Sequence, residues 1–269
     1  MPNLIEITDL HDARIEVYRD IRERDLVGRA GLFVAEGKVV VEKLVDSALH
    51  QPLSLLIAGK RVDALEPILS RLPDKVPVYV AAQGVIDAIA GFPLHRGILA
   101  IGRRTADPTA NDLLAAIGES ATVLVLSGIA NHDNMGGIFR NAAAFGVNAI
   151  LLDADCCDPL YRKAIRVSVG ATLLVPFARI TRQDDLVELL ERHAFRPMAL
   201  SPAGACLLTQ WRPGPRTAVI LGAEGPGLSA DLIRRVQSVQ IAMSAGFDSL
   251  NVATTSGIVL HHIATCANI

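Results

Sequence analysis

Short apolar runs alternate with amphipathic segments along almost the whole chain of 269 residues, and many of those runs end in glycine-rich or polar loops. The clearest lies near the C-terminus. Val219-Ile220-Leu221 runs into Gly222-Ala223-Glu224-Gly225-Pro226-Gly227, and Val239-Gln240-Ile241-Ala242-Met243 leads to Asp248-Ser249-Leu250-Asn251. Brief apolar runs of this kind suit strands buried on both faces, as in a parallel sheet covered by helices. The loops that follow such strands carry polar groups to the carboxyl edge of the sheet, where ligands bind. The pattern therefore predicts an α/β fold, and either loop read alone is equally a tight turn.

The alternation divides in two. A charged amphipathic helix is expected over Thr8–Arg29, with Leu10, Ile15, Tyr18, Ile21 and Leu26 on one face. Strands follow over Leu32–Ala35, Leu53–Ala58, Pro77–Ala81 and Ile98–Ile101, separated by helices over Lys38–Ala48, Val62–Leu72 and Gln83–Ile89. Arg103–Thr109, polar and broken by Asp107-Pro108, reads as a linker. The expected domains are thus residues 1–105 and 106–269. In the second, Asn111 is expected to cap a short helix. Strands follow over Thr122–Leu126, Ala149–Leu152, Pro176–Ile180, Pro197–Leu200, Thr217–Leu221 and Val239–Ala242. Its further helices are Gly136–Phe145, Tyr161–Ser168, Asp184–His193, Ala230–Val236 and Val252–Thr265.

Bulk properties exclude several classes. At 51% hydrophobic and 20% charged residues the chain is too apolar for disorder. No run approaches the roughly 18 apolar residues of a membrane span. Glu6, Asp9, Asp12 and Glu16 near the N-terminus do not suit a signal peptide, so a cytoplasmic protein is expected. Cys156, Cys157, Cys206 and Cys266 form no Cys-x-x-Cys pair, and His261-His262 lacks the spacing that puts two imidazoles on one helix face, so no metal site is expected. The net charge of −2 argues against a wholly basic nucleic-acid binder and leaves local cationic patches open. The second domain holds no Gly-x-Gly-x-x-Gly, P-loop or Gly-x-Ser-x-Gly motif.

Asn131-His132-Asp133-Asn134-Met135-Gly136-Gly137 enters the helix that carries Arg140. The free amides and positive dipole end of a helix N-terminus favour an anion, and the glycines permit close approach. An N-cap at Asn134 and a surface arginine at Arg140 fit the same residues.

Three segments carry a resemblance. Asn134-Met135-Gly136-Gly137-Ile138-Phe139-Arg140 with Ala143-Ala144-Phe145-Gly146-Val147, Leu221-Gly222-Ala223-Glu224-Gly225-Pro226-Gly227-Leu228-Ser229, and Ile241-Ala242-Met243 with Asp248-Ser249-Leu250-Asn251-Val252-Ala253 resemble, in order and spacing, the three motifs of the SpoU-type (TrmH-like) RNA ribose 2′-O-methyltransferases. Phe33-Val34-Ala35-Glu36-Gly37 and His95-Arg96-Gly97-Ile98-Leu99-Ala100 resemble pieces of the small substrate-binding domain that some members carry. Ala242-Met243-Ser244-Ala245-Gly246-Phe247, in place of the proline common before the methionine of the third motif, and Thr254-Thr255-Ser256, in place of small apolar residues, depart from the usual pattern, which bears on loop shape and cofactor fit.

The resemblance implies a SPOUT fold, with a parallel sheet and a C-terminal trefoil knot, preceded by a small α/β domain that binds RNA. It implies a homodimer that uses S-adenosylmethionine to methylate a ribose 2′-hydroxyl of rRNA or tRNA. Carried over by position, Asn134, Arg140, Glu224, Ser249 and Asn251 are the catalytic set, and Leu200, Gly222, Ile241 and Leu250 line the cofactor. Arg166, with Arg162 and Lys163, is expected to contact RNA phosphates; a solvated helix face is the plainer reading of Arg162 and Lys163. Arginine is often proposed as the base in this family, but a guanidinium in water stays protonated. A charged Arg140 that holds the phosphate or the emerging alkoxide is the expectation here. The competing readings are a noncatalytic RNA-binding protein with a retained knot, and a small-molecule enzyme on an α/β sheet.

Overall fold

A computed structural model describes residues 3–19, 31–90, 97–105, 107–181, 184–223, 225, 227–244, 246 and 249–267. Contacts divide the chain into one unit of Met1–Ala106 with Leu160–Leu174, and a second of Asp107–Pro159 with Val175–Ile269. The Leu160–Leu174 segment, expected from sequence within the second domain, thus packs with the first. Chain order alone does not reveal which core a short helix covers.

The first unit is a five-stranded mixed sheet in the order β1-β4-β3-β5-β2. Its strands are β1 (Asn3–Ile7), β2 (Leu32–Glu36), β3 (His50–Ala58), β4 (Pro77–Ala81) and β5 (Ile98–Arg104). β1, β3 and β4 are parallel, while β5 runs antiparallel to both β3 and β2. The helices α1 (Lys38–Val45), α2 (Val62–Leu69) and α3 (Gln83–Ala90) connect them. Leu55, Leu56 and Ile57 are fully buried in β3, and burial of each such side chain contributes about 1.5–3 kcal/mol. Tyr18 is enclosed as well, its hydroxyl 2.7 Å from Ser54 Oγ.

Two expectations for this unit need correction. In place of a long helix from Thr8, the described residues show the single 3-10 segment Ala13–Tyr18, started by Asp12, whose side chain accepts from Arg14 N; residues 20–30 lie outside the described residues. The strand β1 precedes it, an edge strand with most of its residues exposed or half-buried, which therefore lacks a continuous apolar run.

The second unit carries a seven-stranded sheet in the order β10-β12-β9-β11-β6-β7-β8. The strands are β6 (Ala121–Ser127), β7 (Ala149–Leu152), β8 (Phe177–Arg179), β9 (Arg196–Leu200), β10 (Cys206–Leu207), β11 (Arg216–Gly222) and β12 (Gln237–Gln240). Every pairing is parallel, as the continuous apolar runs require. The helices are α4 (Ala110–Ala115), α5 (His132–Ala144), α7 (Leu186–Arg192), α8 (Ala230–Arg235) and α9 (Val252–Ala267), while α6 (Arg162–Val167) belongs to the first unit. Thr109, not Asn111, caps α4: its side chain accepts from Asp112 N. Among the described residues no helix is long and apolar enough to cross a membrane.

Because the strands are parallel, β9, β11 and β12 deliver Leu200, Gly222 and Gln240 to one edge. The N-termini of α5 and α9 lie against each other there, and the candidate site is built around them.

Candidate active site

The loop from β6 to α5 is held by a carboxylate the sequence did not single out. Asp153, just past β7, accepts from Ser127 Oγ at 2.7 Å, from Gly128 N at 2.9 and 3.1 Å, and from Asp155 N at 3.0 Å. Burial alone would raise its pKa, and these donors outweigh that, leaving it below the ordinary carboxylate value. Gly128 has φ +70°, a left-handed conformation suited to glycine. Cys156 fills the space behind the loop, its Sγ donating to Leu126 O and accepting from Ile129 N, each at 3.3 Å.

Asn131 is the N-cap of α5. Its Oδ1 accepts from Asp133 N at 2.7 Å and Asn134 N at 3.4 Å, satisfying amides that the helix cannot pair internally. The cap alternative for Asn134 is thereby removed. Asn134 is buried one turn further in, and its Oδ1 accepts from Asn251 Nδ2 at 2.7 Å.

Asn251 itself begins α9: its Oδ1 accepts from Ala253 N and Thr254 N at 3.0 and 3.2 Å. It is a cap and a link at once. The two helices are kept close by small residues. A Cβ built on Gly137 would lie 2.8 Å from Ala253 Cβ. Asn141 Nδ2, two turns along α5 from Asn134, donates to Ala253 O at 2.7 Å and Ser256 Oγ at 3.0 Å. The departure at Thr254-Thr255-Ser256 is therefore compatible with this contact, because buried Ser256 is one of its partners.

Beside this helix pair lies a cavity of about 630 Å³, within the size range of small-ligand pockets. Leu200, Gly222, Ile241 and Leu250 all line it, joined by Ser249 and Asn251. Gly222 is required by backbone approach, since a Cβ there would meet Gly227 C at 2.7 Å and Leu228 N at 2.8 Å. The glycine loop closes on itself through Gly227 N, which donates to Ala223 O at 3.1 Å. Glu224 lies outside the described residues.

Arg140 stands exposed on α5 and is not among the residues lining this cavity. Asn134, Gly137 and Asn141 form the face of α5 turned to α9, and a residue six positions from Asn134 falls on another face at 3.6 residues per turn. The cationic helix α6 is part of the other unit. There Arg162 is engaged by Glu36, Lys163 and Arg166 are exposed, and Arg166 is one turn beyond Arg162.

Asn131, Asn141, Asp153 and Glu36 were not anticipated as parts of a site. Asn131 was open to the N-cap rule, being the first cap-type residue before the helix. Asn141, Asp153 and Glu36 act chiefly through partners distant in sequence, which no local pattern reveals.

Known proteins resemble this chain in sequence and in fold. The sequence model of the SpoU rRNA Methylase family matches residues 121–261. An uncharacterised tRNA/rRNA methyltransferase of Mycobacterium bovis is 38% identical over 265 residues, covering 95% of this chain and 90% of the relative. The 23S rRNA (guanosine-2′-O-)-methyltransferase RlmB of Vibrio parahaemolyticus is 29% identical, covering 76% and 85%. The AdoMet-bound rRNA methyltransferase from Sinorhizobium meliloti superposes with a TM-score of 0.81 over 99% of both chains at 22% identity, a likeness of fold. With its three motifs, its parallel sheet and a family match over half its length, the chain belongs to the SpoU rRNA methylase family.

Proposed function

We propose that this RNA methyltransferase transfers the methyl group of S-adenosylmethionine to a ribose 2′-hydroxyl of ribosomal RNA. The observation that carries the reading is the Asn134–Asn251 hydrogen bond beside a cavity lined by Leu200, Gly222, Ile241 and Leu250. The apolar residues suit an adenine ring, and the backbone at Gly222 and Ile241 offers main-chain groups to it. The bound cofactor supplies an electrophilic sulfonium methyl. The rRNA assignment rests on the family and on the 23S rRNA enzyme among the relatives.

In this reading Asn134 and Asn251 fix the two helix N-termini so that the nucleophile and the methyl are held in line; such positioning supplies several kcal/mol. Ser249, at the cavity wall, hydrogen-bonds near the target ribose, and Glu224 stays in the catalytic set on the strength of the family resemblance. Arg140 reaches from α5 to the phosphate or the developing alkoxide as a cation. The first unit grips the RNA backbone through Arg166 and Lys163 of its helix α6.

The C-terminal segment is assigned to a trefoil knot. In support, β12 lies between β10 and β9, two strands earlier in the chain, and α9 follows it onto α5. A homodimer is assigned across α9 and the loop before it, where Ile258 and Leu250 are exposed apolar side chains (38% and 41%). Mapping ribose methylation over total RNA from wild-type and deletion strains tests the assignment. One rRNA position should lose its methyl group in the deletion strain, and an unchanged map would reject it.

A further inference from the structure

One polar link between α6 and its unit falls on a residue that the methyltransferase chemistry leaves unused. Arg162, the first residue of α6, reaches Glu36 Oε2 with Nε at 2.9 Å and Nη2 at 2.8 Å. Both side chains are mostly buried, 16% and 11% exposed, so this pair is shielded from the solvent screening that weakens surface pairs. Glu36 closes β2 and sits just before Gly37, whose φ of +90° turns the chain into α1.

Two further links hold the same segment. Lys43 Nζ donates to Val169 O at 2.7 Å, and Ser47 Oγ donates to Leu173 O at 2.9 Å. At Gly170, φ +78°, a Cβ would lie 3.1 Å from Lys43 Cδ and 3.4 Å from Val40 Cα. The segment is thus fitted closely to α1. The Glu36 pair acts on the helix itself and not on the backbone after it.

We propose that Glu36 is a positioning residue for RNA docking. By binding Arg162 it sets the orientation of α6, and so where Arg166, one turn on, and Lys163 are presented to the RNA backbone. Arg162 is then a structural rivet and not a phosphate contact. The inference rests on the reading that α6 meets RNA.

The test is filter binding of protein-free 23S rRNA by the full-length protein over a series of KCl concentrations, with S-adenosylmethionine affinity as the check on folding. Arg166→Ala should weaken RNA binding and flatten the salt dependence by somewhat under one unit of slope. Glu36→Ala should weaken binding about five- to tenfold, on the scale of one charge-assisted hydrogen bond, with cofactor affinity unchanged. The exchanged pair Glu36→Arg with Arg162→Glu should recover most of that loss. Tighter binding and a steeper salt slope in Glu36→Ala would overturn the proposal, because Arg162 would then be a phosphate contact restrained by Glu36. Unchanged binding in Glu36→Ala beside weakened binding in Arg166→Ala would overturn it too. Unchanged binding in Arg166→Ala would instead remove the reading of α6 as an RNA contact, and the proposal with it.

Discussion

Asn251 donates from Nδ2 to Asn134 Oδ1 across 2.7 Å, tying the first turn of α9 to the first turn of α5 at the carboxyl edge of the sheet. The same Asn251 accepts two amides of α9 through Oδ1. The two roles separate by substitution. Asn251→Asp keeps a good cap and loses the donor, so stability should hold while kcat falls on the order of 10- to 100-fold. Asn251→Ala loses both roles and should also be less stable by about 1 kcal/mol. Urea titration beside steady-state kinetics checks the pair. Unchanged kcat in Asn251→Asp beside a clear loss in Asn251→Ala would show that Asn251 acts only through the cap.

The closeness of α5 and α9 rests on Gly137. A methyl group at that position would stand 2.8 Å from Ala253 Cβ, well inside normal contact. Gly137→Ala should destabilise the protein by about 1–3 kcal/mol, the usual effect of overpacking, despite the better helix propensity of alanine. The double variant Gly137→Ala with Ala253→Gly should be more stable than the sum of the two single effects. Strict additivity would mean that the helices separate freely.

Asp153 gives a pH signature. Burial opposes its ionisation, but Gly128 N and the Ser127 hydroxyl favour it more, and the folded pKa lies below the ordinary 3.8. A depressed carboxylate contributes stability that is fully present above its unfolded value and is lost as pH falls through the folded value. The contribution of this group should therefore be constant from pH 7 to pH 5 and decline below about pH 4. Asp153→Asn should lower stability at neutral pH and remove that part of the acid dependence, as read from urea midpoints across the range. An acid limb identical to wild type would sever Asp153 from the loop's stability.

The adjacent thiols should be nearly inert. Burial, helped by Asp153, pushes the Cys156 thiol up to about 12, and burial with Asp158 pushes Cys157 up to about 11. Only about one Cys156 in ten thousand is then a thiolate at pH 8. Iodoacetamide at that pH, followed by peptide mass spectrometry, should label Cys206 or Cys266 before Cys156. Early labelling of Cys156 would show that the loop after β6 opens.

Much of the architecture was legible because strands buried on both faces read as unbroken apolar runs, as β6, β7 and β11 do. The exposed edge strand β1 had no such run, and the two-residue β10 was too short to read. In the site, glycines marked the close approaches at Gly137 and Gly222, and the family resemblance pointed to Leu200, Ile241 and Leu250, which line one cavity. The pairings were hidden. Nothing in the sequence joins Asn134 to Asn251 over 117 positions, or Arg162 to Glu36 over 126, because these contacts exist only once separate elements are packed. Asp153 was invisible for the same reason, its partners Ser127 and Gly128 lying one strand away.

The central claim is methyl transfer to a ribose oxygen, and alkaline digestion reads it directly. Alkaline cleavage of RNA requires a free 2′-hydroxyl, so a 2′-O-methyl group protects the phosphodiester that follows it. The purified protein is incubated with S-adenosylmethionine tritiated in its methyl group and with protein-free 23S rRNA from a strain lacking the protein. After exhaustive alkaline hydrolysis the tritium should appear in alkali-resistant dinucleotides, and Arg140→Ala should abolish most of it in a protein that still binds the cofactor. Tritium recovered in mononucleotides, where base methylation would leave it, contradicts the account.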